Sequence, residues 1–213
     1  MPFVHSITNS DGSITHVWAV NETVSDLMLL CRRRGIDTSL LRTFKATNRR
    51  IEQLVERLLL HIIFGHEVTL LHTPEGVPHV EHSSMHLSIT HTTGLLAIAQ
   101  HHSHPVGVDA ERVGPRVLRV RSHFLTAREQ QFIEDDDIIA NLIAWTAKEA
   151  LFKVAEDPDA VMTSFELQPF RVVDEGVVNL AAHYRNRTFT LTSTVQQGYV
   201  ITLAYENENQ TEV

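Results

Sequence analysis

Asp109 and Glu111 in the stretch VGVDAERV (106–113), with Glu149 and Lys153 in WTAKEALFK (145–153), are the residues whose types and spacing could do chemistry. On a strand, residues i and i+2 share a face about 7 Å apart. Two ionised carboxylates placed that way repel each other unless a cation or a shared proton lies between them. A metal site or a solvated strand end would each satisfy the pair. Trp145, Glu149 and Lys153 follow one another at i+4 spacing, so on a helix the acid and the base lie on nearly one face, about 6 Å apart along the axis. Alone, Glu149 and Lys153 would be an ordinary surface pair worth a few tenths of a kcal/mol. With Asp109 and Glu111 they become three carboxylates and a lysine, the set that a magnesium-bound pyrophosphate requires. Magnesium takes oxygen ligands and keeps waters, while a lysine balances the remaining phosphate charge. The spacing alone does not choose the metal.

The elements that must position these residues can be read from periodicity. Ser25 followed by DLMLLCRRRG reads as a short capped helix with basic residues in its last turn and Gly35 as its stop. NRRIEQLVERLLLHIIFG, from Asn48, places Ile51, Leu54, Val55, Leu58, Leu59, Ile62 and Ile63 on one face of an amphipathic helix ending near Gly65. HLSITHTTGLLAIAQ predicts two strands joined by a Thr-Thr-Gly turn, and TFTLTSTVQQGYVITLAYE repeats that shape near the C-terminus. Ile139, Leu142, Ile143, Ala150 and Leu151 predict a second long helix from Ile138 to Ala155, with Glu149 on it. The two hairpins lie about half a chain apart. The expectation is an α+β fold of two similar halves, residues 1–105 and 106–213, meeting beside Pro105 with a cleft between them.

Composition sets bounds. The 213 residues, 43% of them apolar, suffice for a sizeable core. A net charge of -8 argues against a general nucleic-acid binder, which needs Lys and Arg to neutralise phosphates. The longest apolar patch, Leu58 to Phe64, includes His61 and is far short of a membrane span, and the start shows no basic leader before an apolar block. One cysteine, Cys31, cannot form an internal disulfide and fits a reducing compartment. A cytoplasmic protein off the membrane is expected. Between Glu111 and Glu129 there is no acid, while Arg112, Arg116, Arg119, Arg121 and Arg128 accumulate. That stretch is either a solvated basic face or a surface for an acidic partner. The 14 histidines, including HHSH at 101–104, raise a transition-metal reading, which scattered spacing and the lack of an HExxH pattern weigh against.

TPEGVPHV, LSITHTTGLLAIA, VGVDAERV, FLTAREQQF and WTAKEALFK, in that order from about Arg50 to the second hairpin, resemble the 4′-phosphopantetheinyl transferases of the longer, pseudo-dimeric type. The shared pattern is Gly-Val-Asp-x-Glu, then Phe-x-x-x-x-Glu, then Trp-x-x-Lys-Glu-Ala-x-x-Lys. The resemblance implies transfer of the phosphopantetheine arm of coenzyme A to a serine of an apo acyl or peptidyl carrier protein, releasing adenosine 3′,5′-bisphosphate. It implies magnesium on Asp109, Glu111 and Glu149, and Lys153 stabilising phosphate charge, with Glu149 as the general base and Glu129 as the alternative. Arg49, Arg50, Thr90, His91, Lys148 and Lys153 would contact coenzyme A, the guanidinium of Arg50 and the imidazole of His91 at phosphates. A solvated helix start is the alternative account of the two arginines. Two positions depart from the family pattern: Val77 stands where a phosphate-binding lysine is usual, and Thr90 where a serine is. A non-catalytic coenzyme A- or carrier-binding homologue is therefore the competing reading. The basic stretch would suit an acidic carrier, with Arg116, Arg119 and Arg121 expected to matter more for the carrier than for coenzyme A. A monomer is expected.

Overall fold

The computed structural model describes residues 3–172 and 175–207. The chain begins with β1 (Phe3–Thr8) and β2 (Ile14–Ala19), followed by α1 (Val24–Arg33) and α2 (Thr47–Phe64). A short ribbon of β3 (Leu70–His72) and β4 (Pro78–Val80) leads to β5 (His86–Thr92) and β6 (Leu95–His101). After Pro105 come β7 (Val106–Arg112), the single-turn α3 (Arg121–Phe124), α4 (Ile138–Ala155) and β8 (Glu166–Leu167), then β9 (Gly176–Tyr184), β10 (Arg187–Gln196) and β11 (Tyr199–Glu206). Strands β1-β2-β6-β5 form one sheet and β7-β11-β10-β9-β8 a second, with antiparallel ladders throughout. The protein is thus a mixed α+β structure.

Both long helices run as their periodicity predicts. The first of the pair, α2, ends on Gly65 at φ 76°, a left-handed cap that suits a residue without Cβ. Helix α1 begins earlier than Ser25. Its cap is Thr23, which accepts from the Asp26 backbone while the Asp26 carboxylate accepts from the Thr23 backbone. Starting at Ser25 would put Met28 at the position of Asp26, with no acid to return the bond. Both expected hairpins form, β5–β6 turning at Gly94 (φ 82°) and β10–β11 at Gln197 (φ 50°) and Gly198 (φ 78°). The hairpins β1–β2 and β9–β10 were not among the expectations.

Three apolar clusters hold the layers together. Leu96 and Ile98 of β6 pack with Trp18 against Leu54, Val55 and Leu58 of α2. Leu95, Ala97 and Ala99, on the other face of β6, pack with Val17 against Val106, Val108, Ala110, Ile201 and Leu203, so the two sheets meet there. A strand buried on both faces explains why LLAIA is an unbroken apolar run. Helix α4 packs on the second sheet, with Ile143, Ala147, Ala150 and Leu151 fully buried.

That last packing is unusually close. A Cβ on Gly107 of β7 would overlap the carbonyl oxygen of Ala150 and stand 3.1 Å from the amide nitrogen of Val154. Both are backbone atoms of α4, which have little freedom to yield. Gly107→Ala should therefore cost about 1–3 kcal/mol of stability in chemical denaturation. An unchanged midpoint would show that α4 can lift off β7 without penalty.

Candidate active site

Strand β5 carries hydroxyls at alternate positions, Ser88, Thr90 and Thr92, and all three reach toward β7. Ser88 Oγ accepts from the Val108 amide at 3.0 Å. Thr90 Oγ1 donates to Asp109 Oδ1 at 3.0 Å, and Thr92 Oγ1 to Glu111 Oε2 at 3.3 Å. The two-residue period of a strand aligns the three on one face, so β5 fixes both carboxylates of the DAE stretch. Ser88 and Thr92 escaped the sequence reading, although the alternation S-x-T-x-T in SITHT was the available signal.

Helix α4 supplies the rest. Its cap Asp137 accepts from the Ala140 amide at 2.9 Å, fixing the start of a helix buried on most sides. Trp145, Glu149 and Lys153 lie along its one partly open stripe. Because Gly107 lets the helix approach, Lys153 Nζ donates to Val108 O at 2.8 Å and to Asp109 Oδ1 at 2.9 Å. Glu149 and Lys153 line a cleft of about 600 Å³ whose other walls include Val77, Pro78, Leu87, Pro105 and Phe152.

The carboxylates feel one another. Burial pushes the Glu149 carboxyl above the usual range, and the charge of Asp109 adds to this, while Lys153 opposes it. Burial, then Asp109, likewise raises Glu111, with hydrogen bonds from Thr92 and Trp145 acting the other way. Asp109 Oδ2 is buried and has no hydrogen-bond partner. The three acids do not close to within 4.8 Å as a set, with Asp109 held by Thr90 and Lys153 and Glu111 by Thr92. An unpartnered buried oxygen and two carboxyls that resist ionisation would all be relieved by a hard cation, so these residues fit one.

Other expected site residues lie elsewhere. Lys148 and Glu129 are fully buried and pair at 2.6 Å. Lys148 also donates to Phe124 O, and Glu129 accepts from the Thr126 and Leu167 amides. Burial lowers the Lys148 pKa, and Glu129 offsets this. Lys148, expected at coenzyme A, and Glu129, expected as the alternative base, thus have every polar side-chain atom engaged inside the fold, where the two pin α4 to the segments around it. Arg50 Nε donates to Phe44 O at 2.6 Å, and Arg49 rather than Arg50 lines the neighbouring groove. Thr90 and His91 part company across the strand, Thr90 toward Asp109 and His91 toward Glu52 of α2 at 3.6 Å. Of the basic stretch, Arg121 is consumed by Asp135, Asn141 and Ile133 O, and Arg128 lies 3.9 Å from Glu166. Arg112, Arg116 and Arg119 remain exposed.

Among the described residues, Asp11, His101 and His104 do gather ligand atoms within 4.8 Å. Their geometry suits a metal poorly. The two rings stack at 3.5 Å with their planes 21° apart. His101 Nδ1 also accepts from the Ser103 and His104 amides, which places the proton of the neutral ring on Nε2.

A raised carboxyl pKa means that the folded state holds the proton more tightly than the unfolded chain. Ionisation of Glu149 then costs stability, absent below the unfolded pKa and felt as pH rises through the folded one. In metal-free buffer Glu149→Gln should raise the melting temperature at pH 7 and lose that advantage near pH 4. Magnesium should stabilise the wild type and leave the variant unmoved. A lower melting temperature for the variant at pH 7 would contradict the electrostatics described.

No curated protein matched the chain. A family model described as the 4′-phosphopantetheinyl transferase superfamily matches residues 105–204, from the turn before β7 into β11. That span contains Gly107, Asp109, Glu111, Glu149 and Lys153, the residues that the close packing of α4 on β7 assembles. Residues 105–204, just under half of the chain, are thus similar to the 4′-phosphopantetheinyl transferase superfamily.

Proposed function

We propose that the protein transfers the 4′-phosphopantetheine arm of coenzyme A to a serine of an apo acyl or peptidyl carrier protein. The observation that carries this reading is the mutual influence of Asp109, Glu111, Glu149 and Lys153, of which Glu149 and Lys153 line the 600 Å³ cleft, within the segment that matches the superfamily. The cleft is lined mainly by apolar residues from both sides of Pro105, a shape that suits a slender pantetheine chain leading to a charged diphosphate. Asp109, Glu111 and Glu149 would hold magnesium, which when bound supplies positive charge to the diphosphate. Lys153, already held by Asp109 and Val108, would keep a second positive charge beside it. Glu149 would take the proton of the carrier serine, directly or through a water. The serine oxygen forms a bond to the phosphorus bearing the pantetheine arm, and the diphosphate bridge breaks, releasing adenosine 3′,5′-bisphosphate.

The wider organisation is part of the same proposal. Residues 1–105 and 106–213 would be related halves, a reading supported by one 18-residue helix packed on an antiparallel sheet in each. The exposed Arg112, Arg116 and Arg119 follow directly on Glu111 and would attract an acidic carrier to the mouth of the site. A buried, free Cys31, and no helix among the described residues long and apolar enough to cross a membrane, fit work in the cytoplasm. Val77 in the cleft wall, where a lysine is usual, favours the second reading of a homologue that binds without transferring.

Incubation with magnesium, coenzyme A and an apo carrier should add the phosphopantetheine mass to the carrier, and Glu149→Ala should lower the rate by at least about 100-fold. Coenzyme A binding without any mass gain across acyl and peptidyl carriers would favour the second reading. Replacing Arg112, Arg116 and Arg119 with Glu should raise the KM for the carrier about tenfold while leaving that for coenzyme A within about twofold. Equal losses in both would remove the carrier-docking role.

A further inference from the structure

Tyr199 opens β11 opposite Arg112, and its neighbour Val200 stands opposite Glu111, so the tyrosine lies at the end of β7 that carries the acids. Strand alternation puts Tyr199 on one face with Ile201 and Leu203, the face that meets the first sheet. Its ring packs against that cluster, and its hydroxyl donates across the layers to Thr93 O at 3.0 Å. Glycine at position 94 leaves room for this bond, since a Cβ there would stand 2.8 Å from the tyrosine oxygen. From the other side the Val20 amide donates to Gly94 O at 2.8 Å. The β5–β6 turn is thus held by both sheets.

Thr93 directly follows Thr92, whose hydroxyl donates to Glu111 Oε2. Of the three hydroxyl contacts from β5 to β7 this is the longest, 3.3 Å against 3.0 Å for those of Ser88 and Thr90. Ser88 and Thr90 are buried inside the strand, whereas Thr92 is its last residue and only partly buried, so its placement depends on the turn that follows. The indole N–H of Trp145, on α4, also donates to Glu111. We propose that Tyr199 is a positioning residue for Glu111: by fixing the β5–β6 turn it keeps the Thr92 hydroxyl on the Glu111 carboxylate, and so sets how tightly the acids hold magnesium. The inference rests on the reading of Asp109, Glu111 and Glu149 as magnesium ligands.

Tyr199→Phe removes the hydroxyl and keeps the ring, and Thr92→Val removes the other hydroxyl and keeps its shape, so both variants retain the packing. In calorimetric titration of the metal-free protein with magnesium chloride, Thr92→Val should bind about three- to tenfold more weakly than the wild type and Tyr199→Phe about two- to fivefold. The double variant should match Thr92→Val alone, because the tyrosine acts through the threonine. Unchanged magnesium affinity in Tyr199→Phe, even with a lower melting temperature, or losses that multiply in the double variant, would overturn the role. If the wild type takes up no magnesium, the metal reading fails on its own account, and the Trp145 indole proton resonance of the metal-free protein decides. A shift of that resonance in Tyr199→Phe, reproduced by Thr92→Val, supports the linkage to Glu111, and a resonance that stays in place rejects it.

Discussion

The contact between Gly107 of β7 and the backbone of α4 at Ala150 and Val154 is the constraint on which the site depends. Lys153 reaches both Val108 O and Asp109 because the helix axis lies that close to the strand. Glu149, one turn earlier, is carried to the same end of the strand, where Asp109 and Lys153 act on its ionisation. A side chain at position 107 would hold the helix away and separate charges that now influence one another. The glycine of the VGVDAE stretch is thus a spacing device, and its value lies in what it omits.

Two further devices keep that interface in register. The buried pair of Lys148 and Glu129 ties α4 to the segments at 124–126 and 167. A buried pair of this kind adds little net stability over apolar residues, yet losing one partner strands the other charge. The pair lies on the buried side of α4, with the stripe of Trp145, Glu149 and Lys153 on the partly open side. On the other side, Tyr199 donates to Thr93 O at 3.0 Å and fills the space above Gly94, pinning the β5–β6 turn to β11. The first sheet therefore holds the carboxylates of the second through its hydroxyls and its turn alike.

Much of this was legible in the residues. Helical spacing located α2 and α4 to within a residue, because both have uninterrupted apolar faces and distinct ends. Glycine turns located β5–β6 and β10–β11. The β1–β2 turn carried the same kind of signal, Asp11-Gly12 with Gly12 at φ 89°, whereas β9–β10 turns at Arg185–Asn186 without a glycine, Arg185 itself being left-handed at φ 54°. Within the site, i and i+2 on a strand and i and i+4 on a helix gave the four charged residues. What spacing could not reveal was which charged residues of the motifs face inward. Lys148 and Glu149 are neighbours in sequence, yet one is sealed in the core and the other lines the cleft, a matter of helix rotation against layers that only the folded chain defines. The partition of Thr90 and His91 to opposite faces of β5 follows from strand alternation, and would have been readable had the strand been weighed before the motif.

The hydroxyl of Thr90 and the ammonium of Lys153 both take Asp109 Oδ1, leaving Oδ2 as the only oxygen this side chain can still offer. Were Asp109 to hold a cation, it would do so through one oxygen. Calcium commonly grips carboxylates by both oxygens and spreads over six to eight donors, whereas magnesium accepts one oxygen from each acid and fills its small octahedron with water and phosphate. A threonine one strand away thus bears on which alkaline-earth ion the acids would welcome, without touching the ion itself.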